Sequence, residues 1–378
     1  MVASPTLAQQ PNAVPDTNEL SIRPYASFRG HMAMYNEALE LQQNGSRVGF
    51  DLRFNVKKVT YFATSELGIN MFRNDVSFRA EASTNGGFLT LDQGQANQVF
   101  ATRLGYIGAD FGKGGQLTIG KQWGAYYDVS GYTDRFNVFG GQASNSYNGG
   151  TDGGLTGTGR ADQAVVYRNK FGPLSIAGQL QFRSVVNDEV VDNLGGSVQL
   201  QLMKGLKIGG GYMQTALADF IVENTAGMDG NPAMWVAGAT CGNSRWDLAA
   251  TFSGQTNGDF STVLDTSGTA LQSVVYDGTG AEAYIRYKHK AWAFSGGFNY
   301  YLPTFEDNEG LAKDFVLQYV VLGAEYHPGK YAYIYAEGRL DDSITANGLD
   351  GFDVLTVGLR LDVDRLYSKK FVHEPWKW

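Results

Sequence analysis

The stretch Ser46-Arg47-Val48-Gly49-Phe50-Asp51-Leu52-Arg53-Phe54-Asn55-Val56 indicates which secondary structure dominates this chain. Apolar side chains occupy every second position from Val48 to Val56, and polar or charged side chains hold most of the positions between them. A period of two places these sets on opposite faces of a β-strand, whereas a helix would mix them. The same alternation returns at 174–183 and 292–300. The pattern predicts strands with one apolar and one polar face.

The composition agrees with a chain made of strands and turns. Its 378 residues include 49 Gly and 13% aromatic residues but only 9 Pro, which favours strands and tight turns over helices. The 43% of hydrophobic residues argues against a disordered chain. Cys241 is the only cysteine, which excludes an intrachain disulfide. A net charge of −8 without a long basic run argues against nucleic acid as a partner.

The hydropathy pattern bears on how the chain could meet a membrane. There is no run of eighteen apolar residues, so no segment qualifies as a transmembrane helix. A closed β-barrel also satisfies every backbone hydrogen bond in lipid, and its strands are shorter and alternate in polarity. The hydropathy pattern is therefore compatible with a transmembrane β-barrel.

Strand-like segments are numerous enough to decide the architecture. We predict sixteen of them. They lie near 21–35, 46–56, 59–72, 96–112, 115–129, 162–170, 174–184, 196–203, 206–216, 233–241, 245–254, 281–289, 291–302, 315–327, 331–341 and 352–363.

The connections between these segments alternate in length. Seven very short turns separate eight long loops, near 36–45, 73–95, 130–161, 185–195, 217–232, 255–280, 303–314 and 342–351. A transmembrane barrel has short periplasmic turns and longer extracellular loops, whereas a soluble sandwich has no reason to sort its loops in this way. The predicted fold is therefore an all-β, 16-stranded antiparallel transmembrane β-barrel.

The number of strands also decides which face meets lipid. A sixteen-stranded cylinder is too wide for side chains to fill, so its interior is wet and its apolar face points outward. Aromatic residues near strand ends would then form interfacial girdles, namely Tyr35, Phe72, Tyr127, Tyr212, Tyr300, Tyr326 and Tyr331. The alternative is that they are core aromatics of a soluble β protein.

The loop near 130–161 is long and rich in glycine, and loops of this length are usually functional or disordered. Four stretches in and around it carry a family resemblance. They are Thr102-Arg103-Leu104-Gly105-Tyr106-Ile107-Gly108, Gly120-Lys121-Gln122-Trp123-Gly124 with Tyr127-Asp128, Phe139-Gly140-Gly141, and Arg160-Ala161-Asp162-Gln163 with Tyr167-Arg168-Asn169. Together they resemble the general porins of Gram-negative outer membranes.

The resemblance implies a homotrimer of barrels in the outer membrane, in contact with lipid and lipopolysaccharide. In each barrel the third loop would fold inward and its acids would face a ladder of basic residues. Transferred by position, the acids are Asp128 and Asp134. The family's usual Pro-Glu before Phe-Gly-Gly is replaced here by Asn137-Val138, so the expected constriction glutamate is absent.

The alternation along the strands gives an independent set of candidate pore-wall residues. The alternate positions that carry polar side chains, called here the polar parity, include Arg29, Arg47, Arg53, Glu66, Arg103 and Arg168. Facing rows of opposite charge would create a transverse field that orients dipolar solutes. The alternative is that these are solvated residues that keep the channel wet.

The chain is predicted to form one membrane domain with two flanking segments. Residues 1–18 are predicted to be a residual export signal or a disordered N-terminus, because Thr6-Leu7-Ala8 resembles the end of a signal peptide. Residues 19–363 are predicted to be the barrel, and 364–378 a C-terminal tail that either extends into the periplasm or docks at the barrel base.

Other chemistries find little support. The four histidines are scattered, no catalytic motif is present, and neither a metal nor a cofactor is predicted. Acidic residues at Glu306-Asp307-Glu309 and Asp341-Asp342 could bind calcium, although solvated loop charges are the preferred interpretation. We therefore predict passive diffusion of small hydrophilic solutes and ions, and no enzyme. The alternatives are a channel selective for sugars or anions and, more distantly, an enzyme or adhesin built on a barrel.

Overall fold

A single closed sheet forms the body of the protein. The computed structural model describes residues 19–72, 84–85, 88–89, 99–146, 156–182, 190–264, 270–306 and 310–370. Within these ranges, sixteen strands pair antiparallel with their sequence neighbours, and the last of them pairs with the first. The sheet therefore closes into a barrel without a free edge, so its backbone groups need no water as partners.

The first half of the chain supplies ten strands. In order they are β1 (Glu19–Tyr35), β2 (Ala38–Gln43), β3 (Arg47–Val56), β4 (Val59–Ile69), β5 (Thr84–Asn85), β6 (Phe88–Leu89), β7 (Phe100–Asp110), β8 (Gln116–Trp123), β9 (Arg160–Phe171) and β10 (Leu174–Gln181). A 3₁₀ turn, Gly112–Gly114, joins β7 to β8, and the helical turn α1 (Tyr127–Ser130) follows β8.

The second half supplies ten more. They are β11 (Asn193–Met203), β12 (Leu206–Thr215), β13 (Ala233–Gly242), β14 (Trp246–Leu264), β15 (Ala270–His289), β16 (Trp292–Thr304), β17 (Leu317–Tyr326), β18 (Ala332–Asp341), β19 (Val354–Asp364) and β20 (Tyr367–Lys370). The short helix α2 (Asp219–Asn224) lies between β12 and β13.

Four of these strands add to the barrel rather than build it. β2 folds back on the end of β1, β5 and β6 form a small hairpin, and β20 pairs with Glu19–Ile22 at the start of β1. Part of the predicted tail is thus paired at the barrel base, while 1–18 and 371–378 lie outside the described residues. In the part of the chain described here, no helix is long and apolar enough to cross a bilayer.

The two faces of the wall differ as the alternation predicted. In β19, Leu355, Val357, Leu359 and Leu361 are 37–47% exposed, whereas Thr356 is fully buried. The exposed parity is apolar throughout the barrel, and the opposite parity carries most of the buried polar side chains. The predicted sixteen strands and their outward apolar parity are confirmed, since the interior of so wide a cylinder accommodates polar groups and water.

Turn lengths follow the predicted alternation with one exception. Two-residue turns join β3 to β4 and β9 to β10, and the chain returns over the opposite rim through longer connections. The predicted long loop at 255–280 is wrong, because β14 and β15 continue through it to Leu264 and from Ala270. Asn257, at a positive φ, lies within a shift in register between Gln255 and Asp259, so the two strands stay paired across a bulge.

A second correction concerns the strand predicted at 115–129. β8 ends at Trp123, and Tyr127 is buried in α1 rather than exposed at the membrane surface. The Tyr127 ring stacks on the Trp123 ring with their centroids 4.1 Å apart, so Tyr127 packs within the protein and not against lipid. Tyr212, Tyr326 and Tyr331 are 38–52% exposed on the outer surface, as interfacial aromatics are expected to be.

A charge on the outer face should destabilise the barrel in lipid. Leu322, in the middle of β17, is 56% exposed. Leu322→Lys should lower the free energy of unfolding by about 2–4 kcal/mol if the site lies at the bilayer midplane. Urea titration of the protein folded in lipid vesicles measures this, with Leu322→Met as the apolar control. Equal stability of the two variants would contradict the assignment of this face to lipid.

Candidate functional site: the inner face of the barrel

The connection between β8 and β9 begins with a charged anchor. Arg168 of β9 places Nη2 2.9 Å from the Trp123 carbonyl oxygen, and its Nε donates to Asp128 Oδ2 at 3.0 Å. Asp128 and Arg168 had been predicted on opposite sides of a pore, but they form a direct ion pair. The pair holds the first turn of the connection against the wall.

From this anchor, residues 124–146 follow the polar side of the sheet. Tyr126, Val129 and Tyr132 pack against Met213, Val236 and other side chains of β12, β13, β14 and β15. The Tyr126 hydroxyl hydrogen-bonds to the Ser144 carbonyl oxygen at 3.0 Å, which ties the two ends of the segment together. Complete burial raises the pKa of Tyr126 well above its ordinary value, so its hydroxyl stays neutral.

Glycines on the wall make room for this segment. A Cβ at Gly280 would overlap the Ala143 carbonyl oxygen, and a Cβ at Gly297 would lie 2.6 Å from the Phe136 ring. Two neighbouring wall positions also leave little space, because a Cβ at Gly209 would lie 2.9 Å from the Tyr132 hydroxyl and one at Gly238 would lie 3.1 Å from the Tyr132 ring. The glycines of β12 to β16 therefore form a shallow groove that any larger side chain would fill.

Two wall carboxylates hold the far part of the segment. Glu337 accepts hydrogen bonds from the backbone amides of Asn137 and Val138, both at 2.7 Å, and from Asn137 Nδ2 at 3.0 Å. Glu282 accepts a bond from the Ser144 amide at 2.8 Å and another from the Thr133 hydroxyl. Leaving a buried amide or hydroxyl without its hydrogen-bond partner costs about 1–3 kcal/mol, so the loss of either glutamate should weaken the attachment of the segment.

The opposite part of the wall is rich in arginine. We call Arg360 of β19, Arg29 of β1, Arg47 of β3 and Arg103 of β7 the arginine row. Arg360 and Arg29 are direct cross-strand partners. Arg47 and Arg103 both reach towards Gly45, where a Cβ would lie 3.7 Å from Arg47 Nη2 and 3.9 Å from Arg103 Nη1.

Arg103 reaches the row through a local irregularity. The pairing of β4 with β7 slips by one residue between Glu66 and Leu67, which leaves Arg103 as the extra residue of a bulge. Its Nε lies 2.9 Å from Glu66 Oε1, and Arg47 Nη1 lies 3.8 Å from the same oxygen. The Tyr25 hydroxyl donates to the other Glu66 oxygen at 3.1 Å. Glu66 is therefore shared by two arginines.

The remaining predicted residues lie apart from this row. Arg53 is on the inner parity of β3, six residues beyond Arg47, and has no ion pair with the described residues. Asp134 accepts a hydrogen bond from the Tyr127 hydroxyl at 2.6 Å within the 124–146 segment. Arg360 was missed by sequence reasoning, although the alternation of Leu359, Arg360, Leu361 and Asp362 carried the same signal as β3.

Of the acidic loop residues, Asp341 departs from the preferred interpretation of solvated charges, because it pairs with Arg339 and both side chains are at most 3% exposed. Its neighbour Asp342 is exposed, as that interpretation expects. Among the described residues, no cluster of His, Cys, Asp and Glu is arranged to hold a metal ion. Residues 307–309, which include most of the other acidic cluster, lie outside the described residues.

Taken together, the closed sheet, the lipid-compatible exterior and the polar interior define a transmembrane barrel with a wet lumen. A family model described as Gram-negative porin matches residues 1–344. The chain belongs to this family.

Comparisons with individual proteins agree with this assignment. The chain is 27% identical over 292 residues to outer membrane porin N of Escherichia coli strain K12, which covers 68% of this chain and 74% of that protein. OmpF of Salmonella typhi in complex with daunomycin superposes with a TM-score of 0.68 at 18% identity, covering 92% of this chain and 98% of that one. OmpT of Vibrio cholerae in its trimer form gives 0.63 at 15% identity, covering 91% and 99%.

The protein is therefore an outer-membrane diffusion channel of a Gram-negative bacterium. The structural likenesses, which lie below 25% identity, bear on the fold alone.

Filling the glycine groove should detach the 124–146 segment. We expect Gly280→Val to displace Ala143 and to expose the bond after Arg135 to trypsin in the folded protein. Gly178→Val on β10 is the matched control, because a Cβ there meets no atom within 4 Å. Mass spectrometry of the fragments reads out the cleavage. If Gly280→Val were as resistant as the control, the groove would not hold the segment.

Proposed function

We propose that residues 124–146 are the inward-folded third loop of this porin and that they narrow its channel. The observation that carries the proposal is the path of the segment. It begins between β8 and β9, and its Asn137 is bonded to Glu337 and to the Tyr333 hydroxyl on β18. These strands lie nearly opposite each other in a ring of sixteen, so the segment occupies the lumen along half of the wall.

The open passage in this proposal lies between the segment and the arginine row. Asn44 Nδ2 donates to the Asn137 carbonyl oxygen at 2.9 Å, which places the tip of the segment beside the start of β3. Arg360 lies over the Tyr333 ring, 5.5 Å from its centroid, and that tyrosine also bonds to Asn137. Asn137, at the tip of the 124–146 segment, and the arginine row thus lie at the same height along the barrel axis.

A sugar-specific channel is the less supported alternative. Tyrosines on the inner parity of β15 to β18 could have formed an aromatic track for sugars, namely Tyr276, Tyr301, Tyr319, Tyr333 and Tyr335. All five are at most 6% exposed, because Val138, Phe139, Ala143 and the 311–317 region pack over them. Covered rings offer no stacking surface to a passing sugar, which favours unspecific diffusion of small hydrophilic solutes.

In this proposal the barrel assembles as a homotrimer in contact with lipid and lipopolysaccharide. The trimer form of the Vibrio cholerae structure supports a homotrimer here. The exposed apolar parity supports contact with lipid, and long extracellular connections support contact with lipopolysaccharide. Residues 19–363 would be the barrel domain, with 1–18 as an N-terminal extension. The pairing of β20 with β1 supports a tail at 364–378 that is docked at the base.

Removing the Glu337 carboxylate, which holds Asn137 and Val138, should widen the channel. Glu337→Ala deletes the acceptor of three hydrogen bonds from Asn137 and Val138, so the single-channel conductance in planar bilayers should rise and its noise should increase. Glu223→Ala, an exposed substitution on α2, is the control. A conductance of Glu337→Ala equal to that of wild type would contradict the narrowing.

The trimer predicts a separate result for the wild-type protein. As it inserts into the planar bilayer, the current should rise in groups of three equal conductance steps. Single steps would contradict the trimer.

A further inference from the structure

Positive charge is concentrated on one rim of the barrel. Among the described residues, every short turn carries an exposed lysine or arginine in the turn or within two residues of it, and short turns lie on the periplasmic side in barrels of this kind. These residues are Lys57, Lys58, Lys113, Lys170, Lys204, Arg245, Lys290 and Lys330. The described parts of the long connections instead carry exposed carboxylates, namely Glu37, Asp219, Glu223, Asp229, Asp314, Asp342, Asp350 and Asp353. The periplasmic rim is therefore basic, although the whole chain carries −8.

Three of these cations lie on turns that are neighbours along the rim. We call them the cation cluster, which consists of Arg245, Lys290 and Lys330. The Lys288 amide donates a hydrogen bond to the Arg245 carbonyl oxygen at 2.8 Å, and the His327 amide donates one to the Ala291 carbonyl oxygen at 2.7 Å. Backbone hydrogen bonds therefore join the three turns, so the cluster has a fixed base.

The cation cluster forms no ion pair with the described residues. The carboxylates closest to it in sequence are Asp247 and Glu325, and both have other partners. Asp247 pairs with Lys288 at 2.7 Å, and Glu325 pairs with Arg286. These pairs balance charges on the inner side of the wall, whereas the three exposed cations at the rim stay without a counter-ion from the described chain.

Aromatic rings lie beside these cations on the outer surface. Trp246, Trp292 and Tyr331 are 41–52% exposed, and each lies within two residues of a member of the cluster. The Trp292 ring packs against Tyr326 with their centroids 4.8 Å apart. Lys330 Nζ lies 5.0 Å from the centroid of the Tyr331 ring. Exposed rings at the end of an apolar wall lie at the headgroup level of a bilayer, which is where lipid phosphates are found.

We propose that the cation cluster binds the phosphate group of an anionic phospholipid in the periplasmic leaflet, with the lipid's apolar part against the neighbouring rings. Ammonium and guanidinium groups donate charge-assisted hydrogen bonds to phosphate oxygens. The rings favour a lipid over a free phosphate ion, because only the lipid has apolar chains that pack beside them. The site lies on the outside of the barrel, so it does not depend on the proposed narrowing of the channel.

Native mass spectrometry tests the site on protein released from micelles that contain equal amounts of phosphatidylglycerol and phosphatidylcholine. Wild-type protein should retain more phosphatidylglycerol than phosphatidylcholine. Lys290→Gln should lower this ratio about fivefold, as expected for the loss of one cation at an anionic surface. Lys290→Arg keeps the charge and should keep the preference. Lys313→Gln, which removes an exposed cation from the opposite rim, is the matched control and should behave as wild type does.

A second variant and a competitor complete the test. Lys330→Gln should lower the lipid ratio in the same way, so the result does not depend on the folding of one variant. Excess inorganic phosphate should leave phosphatidylglycerol bound, because the free ion makes no contact with the rings. Equal retention of the two lipids by wild type, an unchanged ratio in both glutamine variants, or displacement of the lipid by phosphate would overturn the lipid site while leaving the diffusion channel intact.

Discussion

Closure of the sheet is the constraint on which the rest of the structure depends. In lipid, each backbone N–H and C=O group needs a partner within the protein, and only a sheet whose last strand meets its first provides one for every strand. Here β19 closes on β1 over ten residue pairs, from Tyr25 with Asp364 to Met34 with Leu355. Sixteen strands in such a ring enclose more space than side chains can fill. The interior must therefore take up water or a folded segment of the chain.

The 124–146 segment packs against the wall where side chains are missing as well as where hydrogen-bond acceptors are present. Gly280 and Gly297 lack side chains where the segment approaches closely, and Glu337 and Glu282 accept hydrogen bonds from its backbone amides. These wall residues are far from the loop in sequence. Their inward parity can be read from the strand alternation, but their contact with the loop follows only from the closed barrel.

Much of this architecture could be predicted from the sequence because the membrane enforces a simple rule along every strand. The alternation in 46–56 predicted both the strand and its two faces, and the same rule placed Arg29, Arg47 and Arg53 on the inner parity. The rule fails where the backbone departs from a regular ladder. It does so at the bulge at Arg103, at the bulge after Gln255 and at the helical turn at Tyr127.

Charge pairing was harder to predict than position. Arg168 lies on the strand that the sequence predicted, whereas Asp128 lies in α1 rather than in a strand, and the two meet at the base of the segment instead of facing each other across a passage. Pairing depends on side-chain reach and on the path of the chain after Trp123, which alternation does not encode. For Arg360 the alternation indicates the inner position, but its place directly across from Arg29 follows only from the pairing of β19 with β1.

Swelling of proteoliposomes in isotonic solutions of neutral sugars is the decisive measurement for a water-filled diffusion channel, since it follows passage through the barrel without an applied voltage. We expect rapid swelling with small sugars, a steady decline in rate as the sugar grows, and no dependence on any energy source. Vesicles containing folded protein that stayed impermeable to the smallest sugar would contradict a water-filled diffusion channel.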